Sequence, residues 1–230
     1  MKPDGLLSAA SALRYWEHRQ QAVAHNLANA NTHGFRAERV FARLVEGNLI
    51  AAESATDLRP GTLTPTGSPL DLALEGTGFF VVETPAGERF TRGGPMRIDP
   101  SGQLVDAAGR PLLGEDGPIL VPPGVVEIGR DGTVQVDGRF VGRLRVETVP
   151  PGAALVREPG GLFAADSPGV AVAHAERRVR QGHLEESNVN AIESLVDMIN
   201  VQRSYAAVQS SIRVIDGVLS TIANDIGKVS

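Results

Sequence analysis

The sequence predicts a mainly β central domain flanked by long N- and C-terminal α-helices that pair, an α-helical coiled-coil core plus an all-β domain. Three observations predict it. Apolar residues recur at three- and four-residue spacing near both ends of the chain. The middle is a series of short apolar runs separated by Gly and Pro turn signals. Finally, each terminal stripe has to be covered, and the other stripe is the nearest candidate to cover it.

Residues 4–33 read as one amphipathic helix. Pro3 and Asp4 stand where a helix start favours them. Leu6, Leu13, Gln20 and Leu27 fall seven apart, and Ala9, Trp16, Val23 and Ala30 form a second row. Together they make a seam of coiled-coil type with Gln20 as its polar member. The helix then runs into NLANANTHGF (26–35), with amides at Asn26, Asn29 and Asn31. Between helices an amide donates and accepts across the gap and fixes register; solvated amides near a helix end are the competing reading. Gly34 fits the left-handed stop after a helix, with Phe35 folding back on Ala30.

Domain boundaries follow as 1–33 for an N-terminal assembly helix, 34–69 for an extended connector, 70–180 for the all-β domain and 181–230 for a C-terminal assembly helix. In the β domain, FFVVET, PAG and ERFTR (79–92) read as a hairpin. GTVQV, Asp137-Gly138 and RFVGRLRVETV (132–149) read as another, since Asp-Gly between apolar runs signals a type I′ turn. Residues 187–226 read as the second helix. Asn190 and Glu193 resemble a capping pair, with Ser187 and Asn188 beside them. Its stripe starts at Ile192, Leu195 and Ile199 and continues at Val208, Ile212, Ile215, Leu219, Ile222 and Ile226. The gap between Ile199 and Val208 marks a kink or a change in the buried face. Gln202, Arg203 and Tyr205 follow the first half, either as inter-subunit hydrogen-bonding groups or as a solvated face with one half-buried Tyr.

Composition narrows the function. The net charge of −5 offers no basic excess for nucleic acid. Cys is absent, so there is no disulfide, thiolate nucleophile or Cys-ligated zinc. The first twenty residues carry Arg14, Glu17, His18 and Arg19 and do not read as a cleaved signal. No apolar run is long enough to span a membrane. The five His are scattered, no Gly-x-Ser-x-Gly elbow or phosphate loop occurs, and Gly76-Thr77-Gly78 reads as a tight turn. Asp71, Glu75, Asp99 and Asp106 flank turns, and Arg177, Arg178 and Arg180 read as a solvated strand or linker. No catalytic residue, cofactor, metal site or small-molecule substrate is expected.

Three segments in order carry a resemblance. NLANANTHGFR (26–36) looks like an Asn-Leu-Ala-Asn helix end followed by Asn-Thr-x-Gly-Phe. ALEGTGFFVVETPAGERFTRGGPMRIDPSGQLVDAAGRPLLG (73–114) contains Gly-x-Gly-Phe-Phe, Thr-Arg-x-Gly and Asp-x-x-Gly-x-Leu-Val. QGHLEESNVNAIESLVDMINVQRSYAAVQ (181–209) contains Glu-x-Ser-Asn-Val-Asn and Met-Ile-x-x-Gln-Arg-x-Tyr. Together the chain resembles the flagellar basal-body rod and hook family of bacterial axial proteins, the proximal-rod branch adjoining the distal rod before the distal rod itself. It departs from the pattern at Gly94-Pro95, where many members carry a residue before an aromatic.

The resemblance implies a structural subunit of the rod, polymerising through its terminal helices into the drive shaft for motility. It implies assembly with itself and other rod subunits. It also implies export by the flagellar type III apparatus without signal cleavage, and a place in the periplasmic rod. The assembly interface is expected at Leu6, Leu13, Trp16, Val23, Asn26, Leu27, Asn29, Asn31, Gly34, Phe35, Asn188, Asn190, Ile199, Gln202, Arg203, Tyr205, Ile212, Ile215, Leu219 and Ile222. The alternatives are a distal-rod or hook subunit, and a cell-wall glycan-binding or hydrolytic β-domain protein with oligomerising helices.

Overall fold

The computed structural model describes residues 4–45, 49–150 and 152–226, excepting the side chains of Asp4 and of 222–226. Pro3, Ile222 and Ile226 of the expected helix signals therefore lie outside what is described. The chain forms two compact units, one from the terminal segments with residues 38–55, the other from residues 29–37 and 56–189.

The first unit holds helix α1 (Asp4–Ala28), helix α2 (Ala191–Ile226) and a hairpin of strands Glu38–Val45 and Leu49–Thr56. Asn190 starts α2. Its Oδ1 accepts from the amides of Ile192 at 3.0 Å and Glu193 at 3.3 Å, so two otherwise orphaned donors of the first turn are satisfied. α1 lies against α2 and against the first hairpin strand. Tyr15, Ala22, Val23 and Asn26 are its buried positions.

The expected coiled-coil core is not there. α2 buries Val201, while Ser194, Met198, Tyr205, Val208, Ile212 and Ile215 are half-buried. Ile192, Leu195, Ile199 and Leu219 of the expected stripe are exposed, as is Leu6 on α1. The physical reason is phase. The covered face of α2 is centred on Ser194 and Val201, about 160–180° from Ile192 and about 100–120° from Leu195 at about 100° per residue. On α1 the most buried row includes Tyr15 and Ala22, one position away from the Trp16 and Val23 row. The fold is thus a mainly β unit with one helix at each end of the chain, without a long knobs-into-holes seam between them.

The second unit is antiparallel β. A six-stranded sheet runs in the order Leu155–Glu158, Leu162–Ala165, Gly87–Thr91, Phe79–Thr84, Val146–Thr148, Val170–Ala171. A four-stranded one runs Val179–Gln181, Asp71–Leu74, Gly93–Ile98, Leu104–Asp106. Leu72, Leu74, Phe80, Val82, Leu104, Leu112, Val134 and Leu144 form one continuous buried cluster. The Asp137-Gly138 turn has φ values of 49° and 74°, both left-handed as a type I′ turn requires. Strand pairing fastens the two sequence ends of this unit side by side. Leu63 sits opposite Glu185, and Leu74 opposite Val179.

Candidate assembly site

Glu185 lies at the centre of a buried ionic cluster in the second unit and is 1% exposed. It is held there by the His183–Glu185 strand pairing with Leu63–Pro65. Its Oε1 accepts from Arg36 Nη2 at 2.5 Å and from the Gly61 amide at 2.8 Å. Its Oε2 accepts from Arg92 Nε at 2.8 Å. Its backbone carbonyl accepts from the Gly34 amide at 2.7 Å. Arg92 donates its remaining nitrogens to the carbonyls of Gly78, Leu74 and Gly76. Two guanidiniums therefore share one carboxylate, and backbone dipoles complete the solvation of Arg92. Burial pushes the Arg92 guanidinium below its ordinary value; Glu185 opposes that shift and Arg36 adds to it. This geometry ties together four chain segments, those of Arg36, Gly61, Arg92 and Glu185.

Gly34 serves this cluster. α1 ends at Ala28, well before Gly34. Turns from Thr32 to the Asn29 carbonyl and from Phe35 to the Thr32 carbonyl follow. Gly34 has φ +68°, and a Cβ there would stand 3.2 Å from the Arg92 Cβ. The left-handed residue thus delivers an amide to the Glu185 carbonyl, and it is not the helix stop that the sequence suggested. Phe35 is buried, with the Arg157 guanidinium 4.2 Å from its ring centroid.

Two asparagines act as backbone staples. Asn188 Oδ1 accepts from the Ala37 amide at 2.6 Å, and its Nδ2 donates to the carbonyls of Asp57 and Arg59, both at 2.9 Å. Asn26 Nδ2 donates to the Glu38 carbonyl and its Oδ1 accepts from the Glu38 amide, both at 2.8 Å. Asn26 thus pairs with the backbone of its own chain. The remaining expected residues divide by exposure. Val23 is buried. Leu13, Trp16, Leu27, Tyr205, Ile212 and Ile215 are half-buried, Asn29 is half-buried and accepts from Thr32 Oγ1 at 3.2 Å, and Asn31, Gln202 and Arg203 are exposed.

Sequence reasoning missed the roles of Arg36, Glu185 and Arg92, although each lies inside one of the three quoted motifs. Their signal was long-range: charged residues embedded in apolar or Gly-rich runs, each needing a partner. No cluster of three or more His, Asp or Glu able to hold a metal occurs among the described residues. No helix among them is long and apolar enough to cross a membrane.

Comparison with known proteins places the three segments in order. Residues 6–36 match the model of the flagella basal body rod protein family. Residues 73–136 match that of the flagellar hook protein FlgE/F/G D1 domain, and residues 180–226 that of the flagellar basal body rod FlgEFG protein C-terminal region. The chain is similar to the flagellar basal-body rod protein FlgF of Mesorhizobium japonicum, 35% identical with 88% of this chain and 89% of the relative covered. It is similar to FlgF of Escherichia coli at 37% identity, covering 86% and 88%. The flagellar basal-body rod protein FlgG of Bacillus subtilis is 27% identical, covering 95% and 97%.

Proposed function

Because this chain belongs to the flagellar basal-body rod family, as a structural rod subunit of the proximal-rod type, we propose that it polymerises through the uncovered faces of its terminal helices. One observation carries this reading: α2 leaves Ile192, Leu195, Val196 and Ile199 in solvent although α1 already lies against its other side. A helix apolar on two faces is stable in water only when a further surface covers the second one. Residues 1–33 and 181–230 then act as assembly elements. The 70–180 region is the domain they carry, with 34–69 connecting them. The subunit reaches the periplasmic rod through the flagellar type III apparatus without signal cleavage, a route supported by the kinship with rod proteins.

The test is genetic and structural. Deletion of the gene in its host, followed by electron cryo-tomography of basal bodies, is expected to leave flagella arrested at the rod. Restoring a version without residues 219–230 is expected to leave them arrested. Normal flagella in the deletion strain would sink the reading.

A further inference from the structure

A pocket of about 400 Å³ in the β unit is lined by the Glu75-Gly76-Thr77 turn, by Thr148 and by residues of the 170–178 segment. Its size falls in the range of small-ligand sites. The turn is built around Arg92. Leu74, Gly76 and Gly78 all aim their carbonyls at that buried guanidinium. In a trans peptide the C=O and the following N–H point in opposite directions, so the Thr77 amide points out of the core. Thr77 is exposed, and its amide has no hydrogen-bond partner among the described residues.

Two opposite charges stand beside it. Arg177 is buried, with its guanidinium fastened to the carbonyls of Val172 and Leu144, both at 2.9 Å, and to Glu115 at 2.7 Å. That anchor holds the segment, and the flanking Glu176 and Arg178 are exposed. Arg178 gives its Nη1 to the carbonyls of Ala175 and Arg177, which leaves Nε and Nη2 to bond elsewhere. Neither Glu176 nor Arg178 has an ion pair among the described residues. The third charge of the lining is already matched. Glu75 meets Arg180 at 2.7 Å and Arg130 at 3.5 Å, and the hydrogen bond from Arg180 holds its carboxyl below the usual carboxylate range. The pocket therefore offers one unmatched cation, one unmatched anion and one outward amide. A lone anion would suit Arg178 and the Thr77 amide but be repelled by Glu176, and a lone cation would suit Glu176 but be repelled by Arg178. A molecule carrying both charges satisfies all three groups.

We propose that this pocket binds a small zwitterion of the amino-acid or short-peptide class, its carboxylate held by Arg178 and the Thr77 amide and its ammonium held by Glu176. The site belongs to the β unit of one chain and does not depend on polymerisation through the helices.

Titration of the full chain with the dipeptide alanyl-alanine, followed by the amide NMR signals, tests it. Saturable shifts are expected at Thr77, Glu176 and Arg178, with a Kd on the order of 1–10 mM. Acetate alone and methylammonium alone are expected to bind at least about tenfold more weakly, since each leaves one charge of the pocket unmatched. Arg178→Gln and Glu176→Gln are each expected to weaken the dipeptide about three- to tenfold, with a melting midpoint within a degree or two of the parent. Free alanine in place of the dipeptide distinguishes the source: equal affinity points to an amino acid, and weaker binding to a peptide, both within the proposal. No saturable shift up to about 100 mM dipeptide overturns it. So does acetate binding as tightly as the dipeptide, which would make the pocket a plain anion site. Dipeptide affinity unchanged in both variants overturns it too. The comparison with acetate and methylammonium needs only the parent chain, so it decides the matter even where a variant folds poorly.

Discussion

At the scale of single residues, the Glu185 cluster concentrates the most sensitive positions. Removing the carboxylate leaves Arg36 and Arg92, both almost fully buried, facing each other without a counter-charge. Loss of one partner from such a cluster costs about 3–5 kcal/mol. Glu185→Gln is expected to lower the thermal midpoint by roughly 6–20 °C, given about 2–4 °C per kcal/mol for a chain of this size. Calorimetry checks it, and a midpoint within a degree or two of the parent would show that the cluster contributes little. Gly61 is constrained by space as well as by its hydrogen bond. A Cβ there would stand 2.0 Å from the Glu186 carbonyl oxygen, a backbone atom that cannot swing away. Gly61→Ala is therefore expected to displace the paired segment, visible as lost hydrogen-exchange protection at the Glu186 amide, which donates to Thr62.

At the scale of elements, the ends of the helices follow different rules. Asn190 is an N-cap of the ordinary kind, and Asn190→Ala is expected to cost about 1 kcal/mol, read from denaturant midpoints. Asn26 imitates a strand, offering Glu38 both a donor and an acceptor. Asn26→Ala leaves those two backbone groups unsatisfied in a largely buried place, at about 1–3 kcal/mol. The Glu38 amide is expected to exchange on the order of ten- to a hundredfold faster, and unchanged exchange would refute the staple. The cap at Asn190 and the turn at Asp137-Gly138 were legible in the sequence because each is a local rule, fulfilled within a few residues. The helical pattern was legible too, but the buried phase of each helix was not. α2 carries apolar residues on two opposite faces, so spacing alone cannot tell which side meets α1. Ile192, Leu195 and Ile199 spelled a perfect stripe on the side that α1 does not cover. Gly34 misled for a related reason. A Gly after a helix reads as its stop, yet here its partner is a carbonyl far along the chain. Glu185 was illegible because its two arginines lie in separate motifs, joined only once the sheets have formed.

At the scale of the whole molecule, surface carboxylates set the response to acid. Burial alone would raise Glu115, yet hydrogen bonds from Arg177 and His174 outweigh it and hold the group below its ordinary value of 4.5. Hydrogen bonds from Ser101 and Thr133 lower Asp99 and Asp131 in the same sense. Lowered values in the folded chain mean that the unfolded chain binds more protons in acid. The stability these groups contribute is fully present above the ordinary carboxylate range. It is lost as pH falls through their lowered values. The urea midpoint is expected to be flat from neutrality to about pH 5 and to fall below about pH 4. A midpoint that rises on acidification would contradict the assignment.

The side-by-side fastening of residues 63–65 and 183–185 also decides how the β unit meets a pull. Leu63 and Glu185 face each other where the chain enters and leaves, so tension drawn through both ends acts across the strands, as on a zipper at its open end. Zippers fail one bond at a time, whereas strands pulled lengthwise must break all their bonds together. The Arg36–Glu185–Arg92 cluster and the Asn188 staple sit at that open end, like the stop sewn across the last teeth. In optical tweezers with handles at residues 29 and 189, the intact chain is expected to hold to a definite rupture force. The Glu185→Gln chain is expected to peel open at a markedly lower one.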